Sequence, residues 1–167
     1  MVLSENVYEY PRQDVPIQTT IEEILRNVLH ETADISMHHC HQRWDEQKIE
    51  EREMYTVYTS FHGAYQARFA FCAELDIMKR ITEYMLGEKD SSLEDMIESV
   101  KEFVNIICGH IVGAIFKRTK VAARFHVPDF AKGIYIPNRE NQDFIVTKYC
   151  TNEESKMILC IYDPVVL

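Results

Sequence analysis

The sequence predicts an α+β fold: a mostly antiparallel sheet with three helices packed on one face. Two observations carry this. Apolar residues recur with the 3.6-residue period of a helix in three segments and with the two-residue alternation of a strand in others. The segments run in the order helix, strands, two helices, strands, which separates helices from a sheet built of hairpins.

Residues 1–18 carry Pro11 and Pro16 and no periodicity, and read as an extended lead-in to a single domain over 19–167. Thr19-Thr20-Ile21-Glu22-Glu23 offers two overlapping capping boxes. Ile21, Ile24, Leu25, Val28 and Leu29 then give the stripe of a first helix. Met37 to Trp44 reads as a strand, followed by a charged loop over 45–52. Met54 to Phe61 and Tyr65 to Cys72 are β-rich, and His62-Gly63 between them marks a hairpin turn. Leu75, Met78, Ile81 and Met85 make a second helix stopped by Gly87. Ser91-Ser92-Leu93-Glu94-Asp95 caps a third, which runs to about Phe116 or Thr119. Four strands follow, over Val121–Val127, Gly133–Ile136, Phe144–Cys150 and Met157–Tyr162, the last two as a hairpin.

Composition narrows the partners. With 46% hydrophobic and 27% charged residues the chain is an ordinary globular domain, and its 167 residues suffice for a real core. The longest apolar runs are too short for a bilayer, and the start lacks a signal-peptide pattern, so no membrane and a cytoplasmic location are expected. The net charge is −9, and Lys117-Arg118-Thr119-Lys120 is the densest basic spot, so nucleic acid would be repelled. Five cysteines, none in a C-x-x-C pair, read as reduced and structural.

The third helix is the informative one. At 100° per residue, Val100, Val104, Ile107, Ile111 and Ile115 share an apolar stripe, and Glu98, Glu102, Asn105, Gly109 and Gly113 fall roughly opposite. Glu102 and Asn105 stand at i and i+3, so both can act on one target. Each glycine costs about 1 kcal/mol relative to alanine in a helix interior. Here they leave bare backbone beside Asn105, either as clearance for another surface or for helix packing.

Glu102-x2-Asn105-x22-Pro128 resembles the signature of the CheC/CheX/FliY family of chemotaxis phosphatases, with Tyr84-Met85-Leu86-Gly87-Glu88 closing the preceding helix in the same way. The likeness covers roughly residues 20 to 163. The family pattern usually has Asp or Ser four residues before the glutamate; Glu98 stands there. The first helix offers no second Glu-x-x-Asn, since Glu23 is followed at i+3 by Arg26. That single site makes the chain similar to the CheX type.

The resemblance implies a CheC-like fold and a hydrolase acting on the phospho-aspartyl form of a CheY-like response-regulator receiver. Asn105 is implied to orient the attacking water, and Glu102 to pair with a receiver lysine, with Glu98 and Gly109 as further partner contacts. Mg2+ is implied to come with the receiver, leaving this chain no cofactor to hold. A homodimer joined at sheet edges is also implied, and the apolar hairpin Phe144–Tyr162 is the expected edge. The alternative is a non-catalytic CheX-like module that binds a receiver or another signalling protein.

Other clusters are weaker. His38-His39-Cys40-His41 invites a metal, but no second ligand pair stands out, so none is assigned. Cys108 and His110 diverge on the helix as i and i+2, which argues against a nucleophilic pair.

Overall fold

The computed structural model describes residues 15–40, 53–134 and 144–166. Within them lie helices α1 (Val15–Ala33), α2 (Leu75–Leu86) and α3 (Leu93–Thr119). The strands are β1 (Met37–His39), β2 (Met54–Gly63), β3 (Tyr65–Glu74), β4 (Ala123–Phe125), β5 (Asp129–Lys132), β6 (Phe144–Thr151) and β7 (Lys156–Val166). The strands form one sheet in the order β1-β6-β7-β3-β2-β4, with β5 also on β2, and each pairing is antiparallel.

Side-chain alternation divides the sheet into two faces. Val57, Phe61, Phe69, Phe71, Leu159 and Ile161 point to the helices. They join Leu25 and Leu29 of α1, Met78 and Ile81 of α2, and Phe103 and Ile107 of α3 in the main core. Met54, Ala70, Cys72, Ile158, Cys160 and Tyr162 form a smaller cluster on the helix-free face. The predicted α+β architecture, with three helices on one face, is therefore the observed one.

Helix ends follow local chemistry. Ser92 caps α3: its hydroxyl accepts the Asp95 N–H at 3.1 Å, and the Asp95 carboxylate accepts the Ser92 N–H at 3.1 Å. Hydrogen bonds from the Ser92 side chain and backbone hold the Asp95 carboxyl below its ordinary value. Gly87 ends α2 at φ 70°, where its N–H reaches the Glu83 carbonyl at 2.9 Å. Gly63 turns β2 into β3 at φ 89°, and a Cβ there would meet the Ala122 carbonyl oxygen at 2.6 Å.

Several boundaries differ from expectation. α1 begins at Val15 rather than at the Thr19 capping boxes, so residues 15–18 of the expected lead-in are helical. Pro16 is tolerated there because first-turn N–H groups have no partner within the helix. The expected strand Met37–Trp44 is described as Met37–His39 and Cys40; residues 41–44 lie outside the described residues. Of the expected strand Gly133–Ile136, residues 135 and 136 lie outside the described residues; the described strand here is Asp129–Lys132, which pairs with β2 and is followed by Gly133 at φ 88°. β7 runs past Pro164, because the register shift between Gln66 and Arg68 takes residues 163 and 164 out of the ladder.

Two corrections bear on function. The hairpin β6–β7 is not a sheet edge: β7 lies between β6 and β3, and β6 between β1 and β7. Among the described residues, the ends of the sheet are β1 on one side and β4 with β5 on the other. The second concerns cysteine. Cys40 and Cys150 form a disulfide with Cα atoms 5.4 Å apart, whereas Cys72, Cys108 and Cys160 are buried thiols outside it. The pairing of β1 with β6 brings together residues 110 apart in sequence, and nothing in their local surroundings announces it.

Candidate functional site

α3 presents one face to solvent because the other is committed to the core. Val100, Phe103, Val104, Ile107, Ile111 and Ile115 are buried. Burial contributes about 1.5–3 kcal/mol for each large apolar side chain, which outweighs about 1 kcal/mol lost at each of Gly109 and Gly113. By length and composition α3 would also pass as a membrane span, but its apolar stripe is covered by the sheet and the other helices. With that stripe fixed inward, Glu98, Glu102, Gly109 and Gly113 are exposed and Asn105 is half-buried.

Glu102 and Asn105 come together as their spacing predicts. The Asn105 amide nitrogen donates to Glu102 Oε2 at 3.2 Å. An asparagine amide has two N–H donors and an acceptor oxygen. One donor is used here, leaving one N–H and the oxygen available for an incoming group. Glu98 is turned aside by Lys101, whose Nζ lies 3.4 Å from Glu98 Oε1, and its side chain stays 70% exposed.

Among the described residues, nothing packs against the two glycines of this face. A Cβ built on Gly109 or Gly113 meets nothing within 4 Å. Phe116, expected only near the end of the helix and not as part of the site, extends the same face and is 51% exposed. The signal was helical phase: eleven residues are three turns and return to within about 20° of Asn105. The exposed face therefore passes from acidic (Glu98, Glu102) through bare backbone (Gly109, Gly113) to an aromatic ring.

Pro128 lies elsewhere. It is buried in the segment between β4 and β5, both of which pair with β2. The His126 N–H donates to the Ser60 carbonyl at 3.0 Å, and Thr59 Oγ1 donates to the His126 carbonyl at 2.6 Å. A residue without an N–H suits a position that leaves the ladder. The proline of the signature thus sits in the link between two strands of the sheet, while Glu102 and Asn105 form the exposed pair.

The remaining candidates disperse. His39 faces α1, with Nε2 3.7 Å from Glu22 Oε2 and its ring 5.0 Å from that of Tyr149. His38 is exposed, Cys40 is in the disulfide, and His41 lies outside the described residues. Among the described residues no three His, Cys, Asp or Glu side chains are grouped to hold a metal ion. Burial pushes the Cys108 thiol up to about 12, which leaves it an inert core residue. His110 is exposed on the far side of that turn.

A family model described as chemotaxis phosphatase CheX matches residues 55–149. No curated protein matches the chain significantly. Among solved structures, the chain is similar to CheX from Vibrio vulnificus, with a TM-score of 0.68 at 17% identity, covering 87% of this chain and 94% of that one. It is also similar to the Borrelia burgdorferi complex of CheX with CheY, BeF3 and Mg2+, at TM-score 0.68 and 12% identity, covering 87% and 96%. Thermotoga maritima FliY matches at TM-score 0.57 and 12% identity, covering 96% and 91%. At such identities the structural likeness is one of fold. The family match spans more than half of the chain and includes the whole of α3, and by it the chain belongs to the CheX family of chemotaxis phosphatases.

Proposed function

We propose that this protein is a phosphatase that hydrolyses the phospho-aspartyl group of a CheY-like receiver, with the exposed face of α3 as its working surface. The observation that carries this reading is the Glu102–Asn105 pair, held at 3.2 Å on an open helix face. Family membership and the fold shared with a CheX found in complex with CheY support the choice of partner.

Hydrolysis of an acyl phosphate is an in-line displacement with a loose transition state, so it depends more on positioning than on a strong base. The Asn105 oxygen accepts a hydrogen bond from the attacking water, and its second N–H donates to a phosphoryl oxygen. Glu102 holds the amide in place and, through its other carboxylate oxygen, pairs with a lysine of the receiver. Gly109 lets the receiver backbone approach, and Glu98 adds charge at the rim. Mg2+ comes with the receiver, and this chain supplies no cofactor.

We further propose a cytoplasmic homodimer joined at one end of the sheet, β1 or β4–β5, which leaves both copies of α3 open. The test of function is the decay of a phosphorylated receiver with and without the protein. Acceleration that Asn105→Ala removes supports the reading. Binding of the receiver without acceleration would replace it with a non-catalytic docking module.

A further inference from the structure

The helix-free face of the sheet holds a second place where polar groups converge. β2 and β3 turn Tyr58, Ser60, Arg68 and Ala70 to that face, with Ser60 opposite Arg68 in register and Tyr58 opposite Ala70. Residues 126–129, crossing from β4 to β5, wall the other side. Between them lies a cleft of about 360 Å3, within the lower range of small-molecule sites.

The Tyr58 and Thr59 hydroxyls of this cleft are engaged, with Asp129 and the His126 carbonyl, but three other donor side chains are not. Among the described residues, the Arg68 guanidinium makes no ion pair or hydrogen bond, and neither does the Ser60 hydroxyl. The His126 ring has a ring contact with His62 at 5.0 Å and, among the described residues, no hydrogen bond. The acid of the cleft, by contrast, is engaged. Asp129 Oδ1 accepts the Phe130 N–H at 2.8 Å, and Oδ2 accepts the Tyr58 hydroxyl at 3.3 Å. The free charge is therefore positive, on a chain whose net charge is −9. Tyr58, Ala70 and Val127 supply apolar wall beside it.

We infer that this cleft binds a small molecule with an anionic oxygen head, a phosphate or a carboxylate, on a compact apolar body. Arg68 forks onto two oxygens of the head, with Ser60 and His126 as further donors. The body lies against Tyr58 and Val127. The site is independent of the Glu102–Asn105 pair, which lies on a helix packed against the other face of the sheet.

The test is an NMR titration of the 15N-labelled protein with phenyl phosphate, benzoate and phenol as probes. At least one anion is expected to shift the amides of residues 60, 68 and 126–129 saturably and to bind at least tenfold tighter than phenol. Arg68→Gln should weaken the anion at least tenfold and leave phenol unchanged, and Ser60→Ala should weaken it less. Stronger binding of phenyl phosphate assigns a phosphate head, and stronger binding of benzoate a carboxylate. Anions no tighter than phenol, binding indifferent to Arg68→Gln, or shifts confined to α3 would overturn the inference. Arg68 is exposed, so dispersed spectra should confirm that its variant stays folded.

Discussion

Asn105 donates its side-chain amide to the Glu102 carboxylate one helical turn away, at 3.2 Å, on the face of α3 that the core leaves open. The contact is short-range within one helix, so it forms with the helix. In the proposed mechanism this contact orients the amide ahead of the receiver, and preorganisation of this kind lowers the entropy cost of bringing a water into line.

Asn105→Ala should abolish acceleration of receiver dephosphorylation, a loss on the order of 100-fold or more for a group acting through orientation. Fold and most of the binding should persist, because alanine suits an accessible helix position. Single-turnover decay and circular dichroism measure the two sides, and a variant of full activity would remove Asn105 from the mechanism.

Glu102→Ala should act mainly through binding. The expected result is a raised KM, with a difference from wild type that shrinks at high salt, as for a charge pair at an interface rim. A salt-independent loss of kcat at unchanged KM would make Glu102 a direct participant instead.

Gly109→Ala should stabilise the free protein by about 0.5–1 kcal/mol, since helix propensity improves and the new Cβ meets nothing within 4 Å. Gly109→Leu should leave folding nearly unchanged and raise KM for the receiver, as should Phe116→Ala at the far end of the same face. Thermal unfolding and steady-state kinetics together decide this. Unchanged KM in both variants would move the docking surface off α3.

Thiol titration of the unfolded, unreduced protein should count three free groups, Cys72, Cys108 and Cys160, rising to five after reduction. Five without reduction would show Cys40 and Cys150 as a dithiol. The bridge closes a loop of more than 100 residues, so Cys150→Ser should cost about 2–4 kcal/mol.

The first turn of α3 should loosen in acid. The Asp95 carboxyl titrates below its ordinary value of 3.8 because Ser92 hydrogen-bonds its charged form. A lowered folded-state value stabilises above the unfolded one, and the contribution disappears as pH falls through the folded value. Hydrogen exchange at residues 94–97 should speed up below that range, and Asp95→Ala should show the fast exchange at neutral pH already. Equal exchange in both proteins at pH 7 would remove the capping box as the cause.

Much of this was legible in the sequence. Ser92 with Asp95, Gly87, and the alternation through β2 and β3 identify helix ends and strand faces from contacts a few residues apart. Glu102 and Asn105 were legible for the same reason, since spacing along a helix sets both phase and separation. Phe116 carried the same phase signal, which already sets it opposite the apolar stripe.

What the sequence determined by itself was therefore local: the three helices, the strand-forming runs, the outward face of α3 and the pairing of Glu102 with Asn105. Only the tertiary structure decided which strands are neighbours. It placed the β6–β7 hairpin inside the sheet, joined Cys40 to Cys150, set Pro128 into a break beside β2, and gathered Ser60, Arg68 and His126 around one cleft. The physical reason is the range of the interactions. Helix and turn preferences are settled within a few residues, whereas strand order and register emerge when segments tens to more than a hundred residues apart bury their apolar faces together.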